Sequence, residues 1–459
     1  MKKFYIILSI GILVVAFNRC NKAEDFPESG YDERLSGGAA TIFDATSHAL
    51  TNAMGGLNER DQRVHEIGDQ TFDQTFVAPP SPIFTGLGPV FNNISCVNCH
   101  RNDGEGIPTA GFSNSGLLFR ISQPGQDANG GPVAIPGFGT QIQDKAVLGA
   151  QPEAIFNISY ADSMVTYTDG SSIVLTKPNY LLQNPYTSLP SDYILSPRLA
   201  PPLVGMGLLE NIPETTILSF VDANDKNGDG ITGKANYIYN EYTKRKELGR
   251  FGLKANTSTL ALQVATAYQQ DMGVTSYMQH EESADGQSQM NGVHGDVQPE
   301  LVDSLLNYVV FYVKTLAVPA RRNVSDPDIK QGSVLFNDLN CSGCHRPTIQ
   351  TGFDQTLAQI NNQRIHPYTD LLLHDMGSAL ADGRPDFLAT GSEWRTAPLW
   401  GIGLLDIANG TPYFLHDGRA KTLEEAILWH GGEAQKSKQQ FMQLNKADRD
   451  RIVKFLKSL

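Results

Sequence analysis

Two copies of one short pattern constrain this chain more than anything else in it: Cys96-Val97-Asn98-Cys99-His100 and Cys341-Ser342-Gly343-Cys344-His345. Each is C-x-x-C-H. At that spacing two thiols can form thioethers to the vinyl groups of one haem, and the next histidine lies under the iron. The chain has five cysteines, and the motifs use four of them. A C-x-x-C pair also occurs in structural zinc sites and in thioredoxin-like dithiols. Zinc needs about four ligands close together, whereas these pairs lie far apart in sequence and histidine follows each. A thioredoxin motif sits in a βαβ setting, which neither flank supplies. The reading adopted is covalent haem at Cys96, Cys99, Cys341 and Cys344, with His100 and His345 as proximal iron ligands.

A chain of 459 residues is long enough for two or three domains. Its net charge of −13 argues against nucleic acid and against an acidic membrane surface, and it suits a basic electron-donor protein. Met1-Lys2-Lys3 followed by Phe4 to Phe17 is a basic stretch and then an apolar one, too short for a comfortable membrane span. This predicts a secretory signal over residues 1–20. Cys20 follows the apolar run and is a candidate lipid anchor, although Phe17-Asn18-Arg19 departs from the small residues of a lipoprotein site. The alternative is that Cys20 leaves with the cleaved peptide. Either way the mature chain is expected in the periplasm or outer envelope, where c-type haem is attached.

Residues 21–60 form a polar segment in which Ala39 to Met54 is a candidate helix. After His100 a Gly/Pro-rich stretch runs from Asn102 to about Leu199. Within it Met164 to Thr168 and Ser172 to Leu175 alternate about Asp169-Gly170, which predicts a β-hairpin. The stretch reads as an insertion covering the first haem. Asp225-Lys226-Asn227-Gly228-Asp229-Gly230 matches the opening of a calcium loop, with oxygen ligands from Asp225, Asn227 and Asp229. Its twelfth position is Asn236, where a bidentate Glu is expected, and an Asp/Gly surface turn is the alternative. Leu301 to Leu316 and Ala447 to Leu459 are apolar at helical spacing, and each closes a unit with one C-x-x-C-H. Gly332 to Phe336 echoes Gly86 to Phe91. The chain therefore reads as a duplication, with a first haem domain over 61–320 and a second over 327–459.

The second half carries a resemblance. Glu393-Trp394-Arg395-Thr396-Ala397-Pro398-Leu399-Trp400-Gly401, Thr411-Pro412-Tyr413-Phe414-Leu415-His416-Asp417-Gly418-Arg419 and Lys421-Thr422-Leu423-Glu424-Glu425-Ala426-Ile427 resemble the bacterial dihaem cytochrome c peroxidase superfamily. Within it, His374-Asp375-Met376-Gly377, Ala381-Asp382-Gly383-Arg384 and Trp429-His430-Gly431-Gly432-Glu433-Ala434 are similar to the di-haem oxidoreductase family, sometimes labelled thiol oxidoreductase. The resemblance spans about residue 60 to the C-terminus.

That resemblance implies a mainly α fold of two cytochrome c-like domains, the first enlarged by the insertion with its loops and β-hairpin. It implies one fully ligated haem that relays electrons and one open haem that binds peroxide or another small substrate. A small redox protein, a cytochrome or a cupredoxin, would donate the electrons. In the peroxidases a methionine ligand lies fourteen residues past the histidine of the His-x-Gly turn; counting from His416, that position here is His430. Thr422-Leu423-Glu424-Glu425 independently reads as a capped helix start leading to it. The expected ligation of the second haem is thus His345/His430, with His416 holding the haem surroundings through a propionate. At the first haem the peroxidase Glu of an E-M-G-like motif has one counterpart, Asp271-Met272-Gly273, which makes Asp271 the candidate acid/base. The competing reading is a two-haem electron-transfer cytochrome without peroxidase activity.

Overall fold

The computed structural model describes residues 32–81, 83–287 and 299–459. The signal expected over 1–20 and Cys20 lie outside the described residues. Residues Arg34–Leu459 form one contiguous unit. Its apolar core takes in Phe72 and Tyr312 from the first half together with Phe336 and Phe455 from the second. Among the described residues no helix is long and apolar enough to cross a membrane.

Two helix pairs frame the molecule, and a glycine sets each contact. The helix Glu59–Asp73 starts at Asn58, whose side chain accepts from the Asp61 backbone N–H at 3.0 Å. It packs against Asp303–Thr315. A Cβ on Gly68 would lie 2.2 Å from the Tyr308 carbonyl oxygen, so only glycine lets the backbones approach this closely. The helix Pro327–Asp338 is capped by Asp326, with Pro327 in its first turn. It packs against Lys446–Ser458, capped by Asn445. A Cβ on Gly332 would lie 2.1 Å from the Arg451 carbonyl oxygen.

The repetition extends to the rings behind the proximal histidines. Phe72 lies 6.2 Å from the His100 ring and 5.3 Å from Tyr312, centroid to centroid. Phe336 lies 6.3 Å from His345 and 5.3 Å from Phe455. The counterpart of Gly332 to Phe336 is therefore Gly68 to Phe72. The match to Gly86 to Phe91 is corrected: Val90–Phe91 is a short strand paired with Lys145–Ala146. Gly332→Ala drives a methyl into a backbone carbonyl that has no rotamer in which to retreat. We expect a loss of about 1–3 kcal/mol, read from the denaturant midpoint of the purified protein; an unchanged midpoint would show that the helices can part at no cost.

The expectation of a mainly α fold is overturned. Among the described residues helix makes up 29% and strand 21%, in several small sheets. Much of the strand lies in the Gly/Pro-rich stretch. Leu117–Gln126 pairs antiparallel with Ile194–Leu199, in register from Leu117 opposite Leu199 to Ser122 opposite Ile194. It also pairs with Gln141–Ile142 and Pro132–Val133. Ile155–Thr166 and Ser172–Gln183, twelve residues each, form a hairpin longer than the alternating runs alone predict. Its tip is tied to the second half by Arg449 Nη2 on Asp169 Oδ2 at 2.8 Å and by Tyr167 OH donating to Glu424 Oε1 at 2.6 Å. The stretch is thus built of paired strands rather than loose cover. Ala39 to Met54 is not a helix either. Only Gly38–Ala40 makes a 3₁₀ turn, and Thr41–Ile42 instead pair in parallel with Val318–Pro319. A tertiary strand partner there outweighs a weak local helical pattern.

Candidate functional site

Both motifs open onto one cavity of about 780 Å³, lined by Cys96, Cys99 and His100 on one side and Cys341, Cys344 and His345 on the other. That volume lies in the upper part of the usual range of about 300–1,000 Å³ for cofactor pockets. His100 Nδ1 donates to the Pro201 carbonyl at 2.8 Å, and His345 Nδ1 donates to the Tyr368 carbonyl at 2.9 Å. Because a carbonyl can only accept, the proton of each neutral ring sits on Nδ1 and the lone pair on Nε2. Burial keeps both rings neutral, pushing their pKa values down to about 4. This is the tautomer that a metal-binding imidazole requires. Burial also pushes the Cys99 and Cys341 thiols up to about 12, the opposite of an activated dithiol. Among the described residues no group of three or more His, Cys, Asp or Glu is gathered to hold a metal, so neither pair completes a zinc site.

His430 lines the same cavity near the second motif, close enough to interact electrostatically with His345. The helix Leu423–Trp429 begins at Thr422, whose hydroxyl accepts from Glu425 N–H at 3.1 Å, while Glu425 Oε2 accepts from Lys421 N–H at 2.8 Å. His430 is the residue just past its end. Its Nδ1 donates back to the Ala426 carbonyl at 2.7 Å, which again leaves the lone pair on Nε2. His416 is buried in the cavity wall and stacks on Trp394 at 3.8 Å and 14°. Lys254 Nζ lies 4.5 Å from the centroid of that indole.

The wall at the first motif does not include His280, which is exposed. It carries Asp271, at the end of the helix Leu260–Met272, near enough to influence both Cys96 and Cys99. Gln141 Nε2 donates to Asp271 Oδ1 at 2.7 Å. Burial raises the Asp271 pKa, opposed by the positive charge of Arg120 and by the Gln141 bond. The structure therefore brings Asp271 to the first motif through a helix end. Gln141 and Arg120, which the sequence reading missed, come to it from the Gly/Pro-rich stretch.

Glu105, buried in the same wall, accepts from the Tyr413 N–H at 2.8 Å. Burial lifts its pKa from 4.5 to about 8, against the pull of that bond and of Arg101. A raised acid favours the folded state at low pH. As pH rises from about 4.5 to 8, the unfolded chain releases the proton first and stability falls. Glu105→Gln should remove this component and flatten the melting temperature across that window; an unchanged slope would assign the pH dependence elsewhere.

Two haems carry carboxylates as well as iron, and the wall fits such groups. Among the described residues Arg120 Nε, Arg384 Nε and Trp400 Nε1 are buried donors without a partner, and all three residues line the cavity. Buried donors of this kind normally find acceptors, and a haem propionate would supply them. Behind them the Ala381-Asp382-Gly383-Arg384 motif joins the two halves. Asp382 Oδ1 accepts from the fully buried Lys254 Nζ at 2.8 Å, and Asp386 Oδ2 receives Arg198 at 2.8 Å and Arg384 at 2.9 Å.

The Asp225 loop is closed by its own backbone. Asp225 Oδ1 and Oδ2 both accept from Gly230 N–H at 3.2 Å, Asn227 Oδ1 accepts from Asp229 N–H at 3.0 Å, and Asp229 Oδ1 accepts from Ile231 N–H at 2.9 Å. Asn236, the twelfth position, is buried and donates to the Lys254 and Asp386 carbonyls instead of turning into the loop. The geometry is that of a surface Asx turn.

A family profile described as "Di-haem oxidoreductase, putative peroxidase" matches residues 31–459. The chain belongs to this di-haem oxidoreductase family. Membership implies two haems, in keeping with two motifs, two neutral proximal histidines and one cavity between them. No curated protein matches the chain. Among solved structures, a chain of Kuenenia stuttgartiensis hydrazine synthase pressurized with 20 bar xenon is 19% identical over 35% of this chain, with a TM-score of 0.23. The match spans 57% of that hydrazine synthase chain.

Proposed function

We propose that this di-haem oxidoreductase is a peroxidase-like c-type enzyme of the bacterial cell envelope. In this reading the second haem relays electrons and the first binds peroxide or another small substrate. The observation that carries the reading is the asymmetry of the shared cavity: an imidazole, His430, stands in the wall near the second motif, and a carboxyl, Asp271, near the first. Cys96 and Cys99, and Cys341 and Cys344, would hold the two haems as thioethers, with His100 and His345 beneath the irons. When bound, haem iron supplies one-electron chemistry and a coordination position for an oxidant. The chain's residues do the rest. Gln141 pins Asp271 Oδ1 in the cavity wall, and burial favours the protonated carboxyl, the form that could give a proton to a peroxide oxygen. Arg120 supplies positive charge beside it. A small redox protein would deliver two electrons per peroxide reduced, and the excess of acidic residues suits a basic donor.

Haem stain on a denaturing gel and a pyridine haemochrome assay test the attachment, with two haems expected per chain. Loss of all haem on acid–acetone extraction would overturn covalent attachment. EPR of the ferric protein should show a low-spin and a high-spin signal together. Two low-spin signals, with no cyanide binding even after half-reduction, would replace the enzyme by an electron-transfer cytochrome.

A further inference from the structure

His374 is almost completely buried and lies between two carboxylates: Nε2 is 2.8 Å from Asp370 Oδ2, and Nδ1 is 2.8 Å from Glu433 Oε2. Both ring nitrogens facing carboxylates requires both to carry protons, so the ring is an imidazolium. Burial alone would disfavour that charge, but Asp370, with the bonds to Cys344 and Glu433, outweighs it and holds the pKa well above the usual value. The same ring touches Cys344 Sγ at 3.5 Å, on the motif that holds the second haem. On its other side Glu433 lies three residues past His430. Glu433 Oε1 also accepts from Thr232 Oγ1 at 2.5 Å and from Asp375 N–H at 3.0 Å. The backbone between them is close-packed. A Cβ on Gly432, at φ +53°, would lie 2.2 Å from the Asp375 carbonyl oxygen.

A buried triad of one cation and two anions is poor value for stability, since apolar replacements of equal volume are often neutral or better. Its placement gives it another use. One imidazolium touches the Cys344 sulfur next to His345 and, through Glu433, the turn that follows His430. We propose that His374 is a positioning residue: it braces the His430 turn against the second motif and so keeps His430 in reach of that iron.

The inference rests on the His345/His430 reading, and the test separates the two. His374→Gln leaves two carboxylates facing each other without a cation between them, while Glu433→Gln keeps volume and hydrogen bonding but removes the anion that reaches the turn. In the haem-loaded protein each should convert part of the second haem from low to high spin by optical and EPR spectroscopy. Each should also let cyanide bind that haem at least about 10-fold more tightly than in the parent, the scale on which outer partners of a metal ligand act. Should His374→Gln not accumulate as folded protein, Glu433→Gln carries the test. Parent-like spectra and cyanide affinity in the folded variants, even with a lower melting temperature, would reduce the triad to a structural role. His430→Ala serves as the control. If it opens the haem and the brace variants do not, this inference alone fails; if it leaves the low-spin signal intact, the ligation reading fails and takes the brace with it.

Discussion

His430→Ala should abolish the low-spin signal of the second haem and open that iron to cyanide. His430 Nδ1 is committed to the Ala426 carbonyl at 2.7 Å, so Nε2 is the nitrogen available to iron, and the capped Leu423–Trp429 helix fixes the residue from which it projects. Truncation leaves a space and no replacement imidazole. His430→Met should keep the iron six-coordinate but raise its reduction potential, because a thioether favours ferrous iron more than imidazole does. Optical spectra through a redox titration measure both effects. A parent-like spectrum in His430→Ala would place the sixth ligand on another residue.

Asp271→Asn should slow peroxide turnover by about 10²–10⁴-fold, the scale of a lost general acid/base, while leaving cyanide binding at the first haem intact. The substitution is nearly isosteric, and Asn retains an oxygen to accept the 2.7 Å bond from Gln141 Nε2. Only the mobile proton is lost. The pH dependence gives an independent check. Because burial raises the Asp271 pKa, the carboxyl stays protonated to higher pH than an ordinary aspartate, and turnover that needs this proton falls on the alkaline side. That limb should be absent from Asp271→Asn. The same sign predicts that the variant is no less stable near neutral pH. The ionised carboxyl costs the fold stability as pH rises from the unfolded pKa through the raised folded one, and the amide never pays it. Equal turnover in parent and variant would remove Asp271 from the chemistry.

The two motifs, the family and the position of His430 follow from short runs of sequence whose chemistry is local. A C-x-x-C-H needs no distant partner to be read, and the capped start at Thr422 is written in four consecutive residues. The turn about Asp169-Gly170 was visible for the same reason. Resemblance misled on fold class, because much of the strand content comes from the Gly/Pro-rich stretch, which carries none of its motifs. Strands such as Leu117–Gln126 gain stability from partners as distant as Ile194–Leu199, and pairing over that separation leaves no short-range period to detect. The echo of Gly332 to Phe336 was misplaced because a glycine at a helix contact is defined by the carbonyl it meets. Arg451 gives Gly332 its role and Tyr308 gives Gly68 its role.

The sequence by itself pointed to the family the chain belongs to and to the residues proposed to bind haem, because the spacing of two thiols and an adjacent histidine is a local pattern. Only the tertiary structure decided how those residues share one cavity. It alone put Gln141 and Arg120 beside Asp271, Lys254 in the grip of Asp382, and His374 between Asp370 and Glu433. The physical reason is burial. A charge or a hydrogen-bonding group removed from water must find its partner inside the protein. The chain brings that partner from whatever segment the packing places there, not from a fixed distance along the sequence.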